Sequence, residues 1–138
     1  MSLCCLVVDD DRCFLTAVRR MLEREGVTVD TAESGDEALE RVDVGWPDIA
    51  LIDVHLIRED GFEVVERLTA RARARPSCDR QPAIIFISNY AREDFTRRIA
   101  RSPATGFLDK STLCDHLSGE QMRELDATRP SRAVTGSM

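Results

Sequence analysis

A chain of 138 residues with 43% hydrophobic residues is long enough for one domain with its own core. Its 19 Lys and Arg against 25 Asp and Glu leave a formal charge of −6, which argues against direct binding to nucleic acid or an anionic membrane, since both select basic surfaces. No apolar run is long enough to span a bilayer, and five cysteines without a CxxC pair argue against a disulfide framework or zinc site and for a reducing cytoplasm.

The N-terminus, MSLCCLVVDDD, has no basic segment and turns acidic early, so it does not read as a signal peptide. Residues 3–8 (LCCLVV) predict a buried strand. Over 11–25, Phe14, Leu15, Val18, Met21 and Leu22 recur at helical spacing, and Gly26 is a stop. VTVDT at 27–31 is a β-branched strand. Ser34 with Glu37 three residues on predicts a capped helix over 35–43. IALID at 49–53 is a second buried strand, and 61–74 has helical periodicity. A proline-containing loop at 75–82 precedes a strand at 83–88, a helix at 91–101, a strand at 105–110 and a weaker helix near 112–125. The reading therefore gives one domain over 1–125 and a flexible tail over 126–138. Cys13 and Cys114 read as small core fillers.

Strands alternating with helices predict a parallel α/β sheet covered on both faces, with all strand C-termini on one edge. Ligands bind along that edge in open α/β folds. Asp9 and Asp10 follow the first strand, Asp53 ends the third, Ser88 ends the fourth and Lys110 follows the fifth. Three carboxylates converging in a crevice raise one another's pKa unless a cation sits among them. Hard oxygen ligands with room for water suit Mg²⁺. Lys110 alone would leave two carboxylates unpaired. A carboxylate beside Mg²⁺, an ammonium and a hydroxyl is equipped to attack a phosphoryl group, and Asp53 at a strand end is best placed to do so. Asp11 reads as the cap of the first helix.

Taken in order, VVDD (7–10), PDIALIDVHL (47–56), DG (60–61), FIS (86–88) and GFLDK (106–110) resemble the receiver domain of two-component response regulators. The resemblance covers residues 3–125 and implies a flavodoxin-like (βα)5 fold with strand order 2-1-3-4-5. It implies that Asp53 accepts a phosphoryl group from the phosphohistidine of a histidine kinase or phosphotransfer protein. Asp9, Asp10, Asp53 and the His55 backbone carbonyl would bind Mg²⁺, and Ser88 and Lys110 would hold the phosphoryl oxygens. Phe107 would be the aromatic switch that turns inward as Ser88 moves. The output would be a changed surface on the fourth helix, fifth strand and fifth helix, offered to a downstream protein partner or to a second copy in a homodimer.

Some positions depart from the family pattern. Ile57 stands where proline is frequent, and Ser111 follows the lysine where many receivers carry a cis proline. A cis bond before serine would cost roughly 3 kcal/mol, so a trans or strained peptide is expected. His55 and Tyr90 occupy positions that influence phosphate loss in the family, and their bulk either screens the phosphoryl group or is kinetically silent. Too few residues remain after Asp126 for an output domain, which leaves a stand-alone receiver or a cut chain. Two other classes compete: a scaffold of the same fold that works without phosphate, and a Mg²⁺-dependent aspartyl-phosphate phosphatase. The phosphatase needs an Asp-x-Asp, and here the residue two past Asp53 is His55.

Overall fold

A computed structural model describes residues 3–75, 81–90, 95–115 and 118–130. The strands are β1 (Cys4–Val8), β2 (Thr28–Ala32), β3 (Ile49–Asp53), β4 (Ala83–Ser88) and β5 (Gly106–Asp109). The helices are α1 (Arg12–Arg24), α2 (Gly35–Val44), α3 (Gly61–Arg73), α4 (Thr96–Arg101), α5 (Lys110–Asp115) and α6 (Gly119–Asp126). All strand pairs are parallel, in the order β2-β1-β3-β4-β5. This is the doubly wound sheet expected from the alternation of elements.

The sequence explains the layering. β3 and β4 are buried at every position, so their side chains need no polar alternation and face apolar layers on both sides. Leu6, Ala50, Ile52, Ile84 and Phe86 pack with Val42 of α2, Val65 and Leu68 of α3, and Ile99 of α4. On the other face Val7, Leu51, Ile85 and Ile87 pack with Phe14, Val18 and Leu22 of α1, Leu113 of α5 and Met122 of α6. Burying each large aliphatic side chain contributes roughly 1.5–3 kcal/mol.

Helix starts follow the expected chemistry. The Asp11 side chain accepts from the Cys13 and Phe14 N–H groups, and Ser34 Oγ accepts from Glu37 N. Each such cap is worth about 1 kcal/mol. At Gly26 the backbone is left-handed (φ 84°), which ends the turn after α1 with a residue that tolerates it.

Three boundaries differ from the sequence reading, and one contact lies beyond the last of them. Among the described residues the fourth helix is confined to Thr96–Arg101, with Phe95 at its N-cap; residues 91–94 of the expected helix lie outside them. β5 stops at Asp109, so Lys110 opens α5 instead of extending the strand. The single weak helix expected near 112–125 is two helices, because Ser118 and Gln121 form a reciprocal capping box that starts α6 afresh. Within the segment expected as a tail, Arg129 is well covered and pairs with Asp48 (2.7 Å) and Asp126 (3.4 Å), while donating to the Gln81 carbonyl (3.1 Å). Cys13 is exposed, not a core filler, because its place on α1 faces away from the sheet. The side chain of Cys114 and all of 131–138 lie outside the described residues.

Candidate functional site

Parallel pairing places the ends of β1, β3 and β4 side by side, with Val8 opposite Ile52 and Asp53 opposite Ile87. Asp9 and Asp10 therefore leave β1 next to Asp53, and Ser88 stands one residue past the partner of Asp53. Asp9, Ser88, Asp53 and Lys110 are the buried polar and charged residues among those described, with Asp9 and Ser88 at 0% exposure. Burying carboxylates is unfavourable without pairing, and here the pairing comes from Lys110. Its Nζ lies 2.6 Å from Asp9 Oδ2 and 3.1 Å from Asp53 Oδ2. The ammonium also sits 4.7 Å from the Phe14 ring centroid.

One cation serves two carboxylates, and the balance is incomplete. Burial first, and then the charge of Asp9, hold the Asp53 carboxyl above the ordinary carboxylate range, although the His55 N–H and Lys110 offset part of this. Burial disfavours the Lys110 ammonium too, but its contacts with Asp9 and Asp53 outweigh that and hold it above the usual lysine range. Asp9 Oδ2 meets the Lys110 ammonium and has no further partner among the described residues. Asp9 Oδ1 accepts from Asp11 N (3.0 Å), and Asp53 Oδ1 accepts from His55 N (3.0 Å).

These residues fit a small divalent cation. One ligand oxygen each from Asp9, Asp10 and Asp53 lies within 4.8 Å of the others. The donors are hard carboxylate oxygens of the kind Mg²⁺ prefers. Asp9 Oδ2, met among the described residues by the Lys110 ammonium alone, keeps a lone pair that a cation could take.

The loop after β3 is built around a close approach. Gly61 N donates to the Val54 carbonyl (3.0 Å). A Cβ on Gly61 would meet the Asp53 carbonyl oxygen at 2.1 Å, so glycine is required where α3 abuts the phosphoacceptor candidate's strand. Asp60 caps α3 through Phe62 N (2.8 Å) and forms an ion pair with Arg98, whose guanidinium also lies 4.1 Å from the Phe62 ring centroid. Glu59 accepts from Gly35 N (2.9 Å) and stands 3.8 Å from Arg67. The Ile57 N–H donates to Asp10 Oδ2.

His55 and Tyr90 meet edge to face, with ring centroids 5.1 Å apart. His55 also packs 5.3 Å from Phe95, which lies 6.3 Å from the half-buried Phe107. Ser88 Oγ accepts from Tyr90 N (2.9 Å). No peptide among the described residues is cis, so Lys110–Ser111 is trans. The structure thus brings together Asp9, Asp10, Asp53 and Lys110, with Ser88 beside them, and sets His55 and Tyr90 at the rim. The Gly61 approach, the Ile57 donor and the Arg98–Asp60 pair were not foreseen; of these only the DG dipeptide at 60–61 left a visible trace in the sequence.

A doubly wound sheet with an acidic crevice and a lysine at its C-terminal edge defines the receiver class. The chain belongs to the response regulator receiver domain family, which it matches over residues 5–119. It is 33% identical over 136 residues to the response regulator MprA of Mycobacterium tuberculosis (strain ATCC 25618 / H37Rv), covering 97% of this chain and 55% of that protein. The chain spans about half the length of the curated relatives it matches. A response regulator from Thermotoga maritima shares the fold with a TM-score of 0.74 at 20% identity, covering 92% of this chain and 99% of the other. Another from Burkholderia pseudomallei, solved with a phosphorylated aspartic acid, a calcium ion and citrate, has a TM-score of 0.71 at 22% identity, covering 99% of this chain and 72% of the other. Among the described residues no helix is long and apolar enough to cross a membrane.

Proposed function

We propose that this domain is a phosphoacceptor switch in which Asp53 takes a phosphoryl group from the phosphohistidine of a histidine kinase or phosphotransfer protein. The observation that carries this reading is the convergence of Asp9, Asp10 and Asp53, with a single ammonium, that of Lys110, reaching Asp9 and Asp53. Asp9, Asp10, Asp53 and the His55 carbonyl would hold Mg²⁺, which when bound neutralises charge on the phosphoryl oxygens. A carboxylate oxygen of Asp53 attacks phosphorus; the new O–P bond forms as the P–N bond breaks, and the imidazole nitrogen leaves with the bond's electron pair. Lys110, already within 3.1 Å of Asp53, turns its ammonium to the transferred oxygens, and the Ser88 hydroxyl donates to another. Phe107, half-buried behind Phe95, follows Ser88 inward and changes the surface of α4, β5 and α5 that a downstream protein or a second copy reads.

The Burkholderia pseudomallei neighbour supports the reading, because a protein of the same fold was solved there with a phosphorylated aspartic acid and a calcium ion. Incubation with acetyl phosphate and Mg²⁺, followed by intact mass, tests it. The expected result is one added phosphoryl group, absent in Asp53→Ala. No Asp53-dependent adduct would leave the scaffold reading standing, and steady turnover of small phosphate esters would favour the phosphatase.

A further inference from the structure

Where proline is frequent in the family, this chain has Ile57, and the difference is chemical as well as conformational: Ile57 has a backbone N–H. That N–H is spent on Asp10 Oδ2, an oxygen of the same carboxylate that joins Asp9 and Asp53 in the candidate cation cluster. The rest of the segment is held by other means. Leu56 is buried, Glu59 is bound to Gly35 N and near Arg67, and Asp60 is bound to Phe62 N and Arg98. Ile57 is 83% exposed and Arg58 is exposed as well, so side-chain packing contributes little to fixing this pair. Among the described residues, the hydrogen bond to Asp10 is what ties the tip of this loop to the rest of the molecule.

We propose that the Ile57 N–H is a metal-sensitive latch: it and a divalent cation compete for the Asp10 carboxylate, so that loading the site releases Ile57 and Arg58. The proposal rests on the reading of Asp9, Asp10 and Asp53 as a cation site. A cation that takes Asp10 Oδ2 removes the acceptor from Ile57 N, and the exposed amide turns to water. The competition lowers cation affinity by the net worth of one exposed hydrogen bond to a charged group, about three- to tenfold. Linkage makes the effect reciprocal. A docking partner that grips the Ile57 side chain and draws it outward frees Asp10, and the site then binds the cation more tightly. An apolar side chain beside the phosphoacceptor thereby reports whether the site is loaded and helps load it.

The experiment is a Mg²⁺ titration of the uniformly ¹⁵N-labelled chain, with the heat of binding measured in parallel. At saturation the Ile57 amide should shift upfield and exchange with solvent about tenfold faster, with a midpoint equal to the calorimetric one. Ile57→Pro, which lacks the N–H, should bind Mg²⁺ about three- to tenfold more tightly than the parent. Ile57→Ala, which keeps it, should stay within about twofold. Binding heat with an unmoved Ile57 amide overturns the latch and leaves the cation site intact; equal affinity of a folded Ile57→Pro does the same. No heat with any variant overturns both readings. If Ile57→Pro fails to fold, the exchange rate of the parent Ile57 amide decides.

Discussion

Gly61→Ala is the substitution that probes the geometry most directly. The added Cβ would lie 2.1 Å from the Asp53 carbonyl oxygen, against the 3.4 Å at which ordinary contact begins, and 2.9 Å from Val54 Cα. All three nearest atoms are backbone, so no side chain can swing aside. Relief requires the first turn of α3 or the end of β3 to move by about 1.3 Å, the difference between those two distances. Forced overpacking of this kind costs typically about 1–3 kcal/mol, partly by breaking the bond from Gly61 N to the Val54 carbonyl. The functional effect should exceed the stability effect. A displacement of about 1 Å at a reacting group costs on the order of 100-fold in rate, and the group displaced here is Asp53 itself. Urea denaturation should show the loss of stability. The rate of phosphorylation by acetyl phosphate, measured where the variant is still fully folded, should fall about 100-fold. Gly45→Ala is the control, since nothing lies within 4 Å of a Cβ there. A Gly61→Ala variant as stable and as reactive as the parent would refute the claim that this glycine sets the position of Asp53.

Other perturbations separate charge from position. Lys110→Ala leaves the fully buried Asp9 without its cation, and should cost on the order of 3 kcal/mol in urea unfolding without metal; saturating Mg²⁺ should restore part of it, and no metal-dependent recovery would count against the cation site. Asp53→Asn should raise the melting temperature of the metal-free protein at neutral pH. The folded-state pKa of Asp53 is raised, chiefly by burial and then by Asp9, so its ionised form opposes folding. Stability should therefore fall as pH rises from the unfolded value through the folded one, and this portion of the pH dependence should vanish in Asp53→Asn; an unchanged profile would contradict it. His55→Ala and Tyr90→Ala should each speed loss of phosphate from Asp53 by uncovering the rim that the two rings form, with unchanged decay rates rejecting the screen.

The architecture was legible because its signals are redundant. Continuous apolar runs such as IALID and AIIFIS cannot alternate between core and water, so a sheet covered on both faces is the natural solution, and the parallel register then collects Asp9, Asp10, Asp53 and Ser88 without further information. The same logic reached Asp11 as a cap. What escaped were features decided by one local contact. The Ser118–Gln121 capping box splits the last helix; its S-x-x-Q pattern is in the sequence, but the apolar periodicity around it is too weak to mark a second helix. Lys110 was read at a strand end and is the first residue of α5, a one-position difference that leaves its ammonium in the crevice. Arg129 anchors to Asp48 across 81 residues, and no local pattern announces such a pairing. The Ile57 donor and the Gly61 approach depend on backbone positions that no side-chain pattern encodes.

The crevice and its loop follow from one electrostatic constraint. Sequence puts three carboxylates where two strands end, and among the described residues the fold supplies a single buried cation, Lys110, which reaches Asp9 and Asp53 while Asp10 is served by the Ile57 N–H. The metal-free molecule is thus a set of stand-ins: an ammonium for two acids and an amide for the third. Each stand-in is itself attached to a neighbouring element. Lys110 opens α5, and Ile57 belongs to the loop tied to α2 by Glu59 and, through Asp60, to Arg98 of α4. On the proposed function, better partners for the acids, a divalent cation and then phosphoryl oxygens, would dismiss the stand-ins and free the attachments. In this reading conformational change needs no separate trigger, because the groups that neutralise the resting site are the same groups that hold its surroundings in place.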